Sequence, residues 1–89
     1  MATKAATQEA EQAVQRILTE DVLTLTDTRS EIHELTKKRP DKATVCRWCR
    51  IGVGPAGAKV KLEHIRLGNQ IFTSKQAITR FIQARTASA

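Results

Sequence analysis

The chain has 89 residues, of which 40% are hydrophobic, 27% charged and 3% aromatic. This length gives one small domain with a modest aliphatic core, and it excludes a large enclosed substrate cavity. The formal net charge of +6 favours a polyanionic partner. No signal-peptide pattern opens the chain and no apolar run approaches the ~18 residues of a membrane span, so we expect a soluble cytoplasmic protein without a membrane partner.

The charge is unevenly distributed. Residues 1–35 hold three basic side chains against seven acidic ones, whereas residues 36–89 hold twelve against two. Because neutralising phosphates releases condensed counterions, so basic a segment is typical of nucleic-acid binding. A solubilising surface, or a patch for an acidic protein or a membrane, is the alternative. We expect double-stranded DNA as the partner.

The first predicted element is an amphipathic helix. Apolar residues recur at three- and four-residue spacings from Ala6 to Leu18, which predicts a helix over about residues 7–19. Its apolar stripe is too weak to be stable alone in water. The helix therefore docks on the domain, pairs with another copy or frays. We assign residues 1–21 to this N-terminal unit.

Two helices separated by a turn come next. Leu23 and Leu25 alternate with threonines as in a short extended segment, and Thr26 is a good N-cap for a helix that ends near Leu35. Pro40 then breaks the helix. Asp41 is a good N-cap for the second helix, which spans about residues 42–51 and ends before a glycine.

The second helix has a packed face and a basic face. Val45, Trp48 and Cys49 share the face that we expect to be buried. Arginines on the other side have the geometry to reach guanine edges bidentately or to hold phosphates, unless this is an ordinary solvated helix face. Arg47 and Arg50 are the candidate DNA-contacting residues of this face, and Lys42 and Thr44 lie in the first turn of the same helix.

A β-hairpin and a last helix complete the predicted domain. Gly68-Asn69 is a two-residue turn signal that sets Leu67 opposite Gln70 and Ile65 opposite Phe72. Ile65, Leu67 and Phe72 are expected to share a buried face. After them, Thr73-Ser-Lys-Gln76 predicts a capping box. The helix that follows has an apolar stripe and ends near Arg85, before a mobile tail over residues 86–89. The stripe contains Ala77, Ile78, Phe81 and Ile82.

The cysteine pair and the histidines do not form a recognisable metal or catalytic site. Cys46-x-x-Cys49 lies within a helix rather than at a helix start, and only His33 and His64 are left as soft donors, at spacings that match no common zinc pattern. No serine or cysteine has a recognisable base, and no glycine-rich phosphate loop is present. We expect no metal, no cofactor and no enzymatic activity, with Cys49 in the core, Cys46 half exposed and Trp48 as a core anchor.

This element order is that of a winged helix. We expect a mainly α protein with a small β-hairpin (α+β), in which residues 22–85 form a winged helix-turn-helix preceded by an extra N-terminal helix. In that fold the second helix enters the major groove and the wing touches the adjoining backbone or minor groove.

The segment resembles the phage excisionases, small winged-helix relatives of the MerR-type regulators, over about residues 23–83. It is also similar to an uncharacterised bacterial family of short excisionase-like proteins. The resemblance is closest in the Thr44, Val45, Arg47 and Trp48 core and in the hairpin-to-helix step IRLGNQIFTSKQAI. The departures are Ala43 and Cys46, where excisionases commonly have charged, DNA-contacting side chains.

The resemblance implies a non-catalytic DNA-binding protein. Excisionases bind and bend DNA at attachment sites and direct a recombinase toward excision. By position, Arg47 and Arg50 correspond to contacts with bases and phosphates, with Thr44 near the helix start. In the wing, phosphate contacts fall to Lys59, Lys61 and Arg66. We therefore expect an excisionase-like recombination directionality factor or a small transcriptional regulator.

The alternative function belongs to another class. The same fold can act as a protein-interaction module that does not bind DNA, with the N-terminal helix as its contact or dimer surface. Ala43, Cys46 and the acidic first third of the chain favour it. The residues leave the oligomeric state open, and a recombinase or another protein is a further partner to consider.

Overall fold

The computed structural model describes residues 4–87, which form four helices and a three-stranded sheet. The elements in chain order are α1 (Lys4–Leu18), β1 (Val22–Thr24), α2 (Leu25–Thr36), α3 (Lys42–Arg50), β2 (Ile65–Leu67), β3 (Gln70–Ser74) and α4 (Lys75–Ala87). The protein is therefore a small α+β domain.

The sheet is antiparallel, with β3 between β1 and β2. The predicted hairpin register is confirmed, since Ile65 lies opposite Phe72 and Leu67 opposite Gln70. Gly68 has a φ of 61°, as the first position of a type II′ turn requires. The sequence predicted a short extended segment around Leu23 but not its pairing, and β1 there adds a third strand along the other edge of β3.

The core is formed by side chains from every helix and from the segment before β2. Its members are Ile17, Ile32, Val45, Cys49, Leu62, Ala77, Ile78 and Phe81. The predicted packed face of α3 is thus confirmed, with Trp48 half-buried beside it. In the stripe predicted for the last helix, Ile82 stays 39% exposed while the other three residues are buried.

The C-terminal end of helix α1 packs against the rest of the domain, as the first of the three alternatives for it requires. Ile17 has no exposed surface. Around it, Arg16 forms an ion pair with Glu63, and Arg80 donates to both carboxylate oxygens of Glu20 at 2.6 and 3.1 Å. These contacts join α1 and the turn that follows it to α4 and to the segment before β2.

The pKa of Glu20 gives the fold a specific acid sensitivity. Hydrogen bonds from Arg80 hold the pKa of this carboxyl below its ordinary value, so its stabilising contribution is complete above the unfolded-state pKa of about 4.3. That contribution is lost as the pH falls through the lower, folded-state value. We expect Glu20→Gln to lower the free energy of unfolding near neutral pH and to flatten its decline below about pH 4.3. Urea unfolding followed by Trp48 fluorescence measures both effects, and parallel pH curves for the two proteins would contradict the assignment.

The N-cap of α2 is Thr24 rather than the predicted Thr26. The Thr24 hydroxyl accepts a hydrogen bond from the Asp27 N–H at 3.1 Å, so the helix begins directly after β1. Both threonines match the cap preference. Pairing of β1 with β3 decides between them, because it keeps the backbone extended only as far as Thr24.

The capping box predicted at Thr73 is also wrong by one residue. Ser74 caps α4, since its hydroxyl oxygen accepts from the Ala77 N–H at 2.9 Å. The Thr73 hydroxyl instead donates to the Glu63 carbonyl at 2.6 Å, and Gln76 donates to the Asp21 carboxylate at 2.8 Å. Both side chains are used in long-range contacts that no local pattern reveals.

Two further expectations are corrected. Leu67 was expected on the buried face of the hairpin, but its side chain is 70% exposed. It lies next to the turn, at the end of β2, where no element of the described chain covers it. At the C-terminus, α4 continues to Ala87, so the first half of the predicted mobile tail is helical. Residues 88 and 89 lie outside the described part of the chain.

Candidate nucleic-acid interface

The turn between α2 and α3 is fixed against α2 by two arginines. Lys37 ends α2 in the left-handed conformation, with a φ of 65°. Beyond it, the Arg29 Nε donates to the Pro40 carbonyl oxygen at 2.9 Å, and a guanidinium nitrogen of Arg39 donates to the Ser30 hydroxyl at 2.7 Å. The direction in which α3 leaves the turn is therefore set by α2.

Asp41 is the N-cap residue of α3, as predicted. Its carbonyl oxygen accepts from the Val45 N–H at 3.1 Å, but its side chain makes no capping hydrogen bond. The backbone alone starts the helix, and the exposed carboxylate remains beside the first turn.

Helix α3 packs with one face and exposes the other. Val45 and Cys49 are buried, and the Trp48 ring lies 5.3 Å from the Phe81 ring, centroid to centroid. With 3.6 residues per turn, Arg47 projects opposite this packed side. The exposed residues of the outer face are Ala43, Arg47 and Arg50, with Lys42 at the helix start.

The segment after α3 brings a further cation to the end of this helix. The Leu62 N–H donates to the Trp48 carbonyl oxygen at 3.0 Å. Gly52 makes this return possible, because its φ is 94° and a β-carbon there would lie 2.8 Å from the Val60 carbonyl oxygen. Lys61 lies against Gly52 and is exposed. We call Lys42, Arg47, Arg50 and Lys61 the basic face.

The cations of the basic face are not used to hold the fold together. Their side chains make no hydrogen bond or ion pair with any residue that the structure describes. Four arginines elsewhere, Arg16, Arg29, Arg39 and Arg80, are engaged inside the molecule, whereas Arg66 is unpaired among the described residues like the basic face. The carboxylates of Glu20 and Glu63 pair with Arg16 and Arg80, so neither is paired with a cation of the basic face.

The other three predicted site residues lie off the exposed side of α3, although Arg66 lines one cavity together with Lys61. Thr44 is half-buried on the flank of α3. Lys59 is exposed in a loop whose two ends are paired by an isolated β-bridge between Val53 and Val60. Arg66 lies on the edge strand β2 and borders a cavity whose other wall is α1. The structure therefore exposes three of the seven predicted residues, Lys42, Arg47 and Arg50, on α3, with Lys61 beside the glycine that follows this helix.

A cleft with a mixed polar and apolar lining, which Lys42 borders, was missed by sequence reasoning. It has a volume of about 310 Å³ and lies between the N-terminal part of α3 and the hairpin turn. Its polar lining residues are Thr24, Thr26, Lys42, Asn69 and Gln70. The pairing of β1 with β3 brings Thr24 next to the hairpin, and the sequence did not predict that pairing.

The cysteines have the properties of packing residues. Burial, with a smaller contribution from the nearby Cys46, raises the pKa of Cys49 to about 12. Zinc binding and thiol exchange both need a thiolate, which burial disfavours here. Cys46 is half-buried, as expected. Among the residues whose side chains are described, no three His, Cys, Asp or Glu side chains lie close enough together to hold a metal ion.

The two thiols should differ in reactivity. In the folded protein at about pH 8, where thiolate governs alkylation, we expect iodoacetamide to modify Cys46 and to leave Cys49 intact. In denaturant both should react. Mass spectrometry of peptides from each time point distinguishes the sites, and equal labelling of both thiols in the folded protein would contradict the buried position of Cys49.

Comparison with known proteins identifies a family but no function. None of the described helices is both long and apolar enough to cross a membrane. No curated protein and no solved structure matches the chain. A family model described as protein of unknown function (DUF1580) matches residues 30–86. This match begins within α2 and extends into α4, leaving α1 and β1 outside. Because it spans more than half of the sequence, the chain belongs to the DUF1580 family.

Proposed function

We propose that this protein binds double-stranded DNA through the basic face, with α3 in the major groove. The observation that carries the proposal is the set of exposed cations on and beside α3 that have no partner among the described residues. Such side chains are available to phosphates and base edges without breaking any internal contact. Arg47 and Arg50 act as base or phosphate contacts, and Lys42 and Lys61 as phosphate contacts at the two ends of the helix.

The architecture that we propose for this function is a winged helix-turn-helix. It is supported by the order of α2, turn, α3, hairpin and α4, and by the cleft that places the hairpin turn across from Lys42. In this arrangement the hairpin is the wing and lies along the neighbouring backbone or minor groove. Further phosphate contacts then come from Arg66, on the edge strand of the wing, and from Lys59, in the loop before it.

The biological role that we propose is that of an excisionase-like recombination directionality factor or a small transcriptional regulator. Its support is the sequence resemblance around Thr44, Arg47 and Trp48. Both roles need DNA binding without catalysis. In the first role, a recombinase is the protein partner.

The test is fluorescence-polarisation binding to a mixed pool of duplex DNA across a salt series. We expect log affinity to fall linearly with log salt, with a slope set by the number of neutralised phosphates. Lys61→Ala should weaken binding to all sequences alike and reduce the magnitude of the slope by about 1. Lys75→Ala removes an exposed cation at the start of α4, outside the basic face, and serves as the control. A slope that the Lys61 variant leaves unchanged would remove this lysine from the interface.

A second candidate function is a protein-interaction module that does not bind DNA. The observation that favours it is an apolar patch on α1 and the sheet, whose members are each between 40% and 70% exposed: Val14, Leu18, Val22 and Leu67. Exposed aliphatic clusters of this kind often mark interaction surfaces. Ala43 and Cys46 add support, because neither residue offers DNA a charged side chain. Absence of duplex binding at low salt would favour this function over DNA binding.

A further inference from the structure

An apolar groove lies between α2, the turn that follows α2, and α4. Its floor is made of core side chains, Ile32, Leu62, Ile78 and Phe81. Its walls are Pro40 from the turn, Trp48 from α3 and Ile82 from α4. The groove has a volume of about 430 Å³, which falls within the roughly 300–1,000 Å³ of small-molecule sites.

The lining of the groove determines which part of a ligand can fill it. Aliphatic and aromatic side chains form nearly all of the surface, and Thr36 already donates its hydroxyl to the Ile32 carbonyl oxygen at 2.8 Å. A ligand group with several hydrogen-bonding atoms would lose its hydration here without compensation. The body of the ligand must therefore be hydrocarbon or aromatic.

The mouth of the groove determines the ligand's charge. Lys38 and Arg39 border it, and none of the described lining residues is acidic. The Lys38 ammonium has no partner among the described residues, and Arg39 uses one terminal nitrogen on Ser30. Its remaining donors are free to meet a carboxylate.

We propose that this groove binds a small amphiphilic carboxylate, such as a medium-chain fatty acid or an aryl-alkanoic acid. The apolar body lies against Trp48 and Phe81, and the carboxylate lies at Lys38 and Arg39. This proposal goes beyond DNA binding and does not depend on it, because the groove and the basic face share no residue.

Trp48 reports directly on occupancy, since the chain has one tryptophan and no tyrosine. We would titrate the full-length protein with decanoate, decanol and decyltrimethylammonium, each below its micelle concentration, and follow Trp48 emission. We expect saturable binding of decanoate, weaker binding of decanol, and the weakest binding of the cation. Equal affinity for the three head groups, or no saturable change with decanoate, would overturn the proposal.

Two variants and a control locate the binding site. Ile82→Glu, at the half-exposed edge of the groove, should weaken decanoate binding by at least roughly tenfold, because it places a carboxylate beside the apolar body. Lys38→Glu should weaken decanoate binding by roughly threefold to tenfold while leaving decanol unchanged. Leu35→Glu makes a matched change at an exposed leucine of α2 that does not line the groove, and it should have no effect.

The same variants can also contradict the proposed binding site. Circular dichroism would first establish that each variant is folded, and Lys38 is exposed, so its replacement leaves the core intact. Unchanged decanoate affinity in folded Lys38→Glu would overturn the assignment of the head-group site. An acidic amphipathic peptide that saturates the Trp48 signal where decanoate does not would overturn the small-ligand assignment in favour of a protein partner.

Discussion

Replacing Ile17 with alanine is expected to destabilise the protein by ~2–5 kcal/mol, the range for truncating a buried isoleucine. Ile17 is the residue of α1 that enters the core, and its side chain has no exposed surface. A small domain has a total stability of about 5–15 kcal/mol. The loss is therefore a large share of the whole, and part of the population should unfold at moderate temperature.

The neighbouring residue provides the control. Leu18 is 60% exposed, so Leu18→Ala should change the free energy of unfolding by no more than about 0.5 kcal/mol. Urea denaturation followed by Trp48 fluorescence, with circular dichroism as a second probe, measures both variants. If the two alanine variants were equally stable, α1 would not be part of the cooperative unit, and the segment outside the family match would be an appendage.

Replacing Arg47 or Arg50 with alanine is expected to weaken specific DNA binding by ~1–3 kcal/mol each. Both arginines are exposed on the outer face of α3, and neither is needed for an internal contact. The loss should therefore appear in binding and not in stability. The effect should be larger on a target selected from a random library than on unselected duplex DNA, because only base contacts distinguish the two.

Two controls make this measurement decisive. Urea denaturation of each variant should give the wild-type free energy of unfolding, which excludes misfolding as the cause. Lys75→Ala removes one positive charge from the start of α4 and should have little effect on either DNA. Equal losses on selected and unselected DNA for both arginine variants would mean that they hold phosphates only, and the specificity would have to come from elsewhere.

The elements predicted well were those with strong local signals. Pro40 and Asp41 give the turn and the start of α3 because their backbone preferences act within a few residues. Gly68 and Asn69 fix the hairpin register in the same way, since the turn alone aligns the strands. The packed face of α3 also follows from local spacing. These features need no knowledge of the rest of the chain.

The features that were missed depend on contacts between distant residues. The caps of α2 and α4 were misplaced because Thr26 and Thr73 match the local preference as well as the residues that cap. The pairing of β1 with β3 places the cap of α2 at Thr24. The hydrogen bond from the Thr73 hydroxyl to the Glu63 carbonyl leaves the next residue to cap α4. The docking of α1 and the cleft beside Lys42 arise in the same way. The sequence already placed Lys42, Arg47 and Arg50 on one helix, whereas the position of Lys61 at the end of that helix became visible only in the fold.

The central position of β3 has a consequence for how the chain folds. Contacts that attach the N-terminal segment span 54 to 60 residues, from Ser74, Gln76 and Arg80 back to Glu20 and Asp21. Closing so long a loop has an entropic cost before any contact compensates it, so these pairings form slowly. During synthesis, β1 emerges early and has no partner until β3 has left the ribosome. Helices α2 and α3 and the turn between them, whose contacts are short in sequence, can form first, and strand β1 joins the sheet only after β3 has been made.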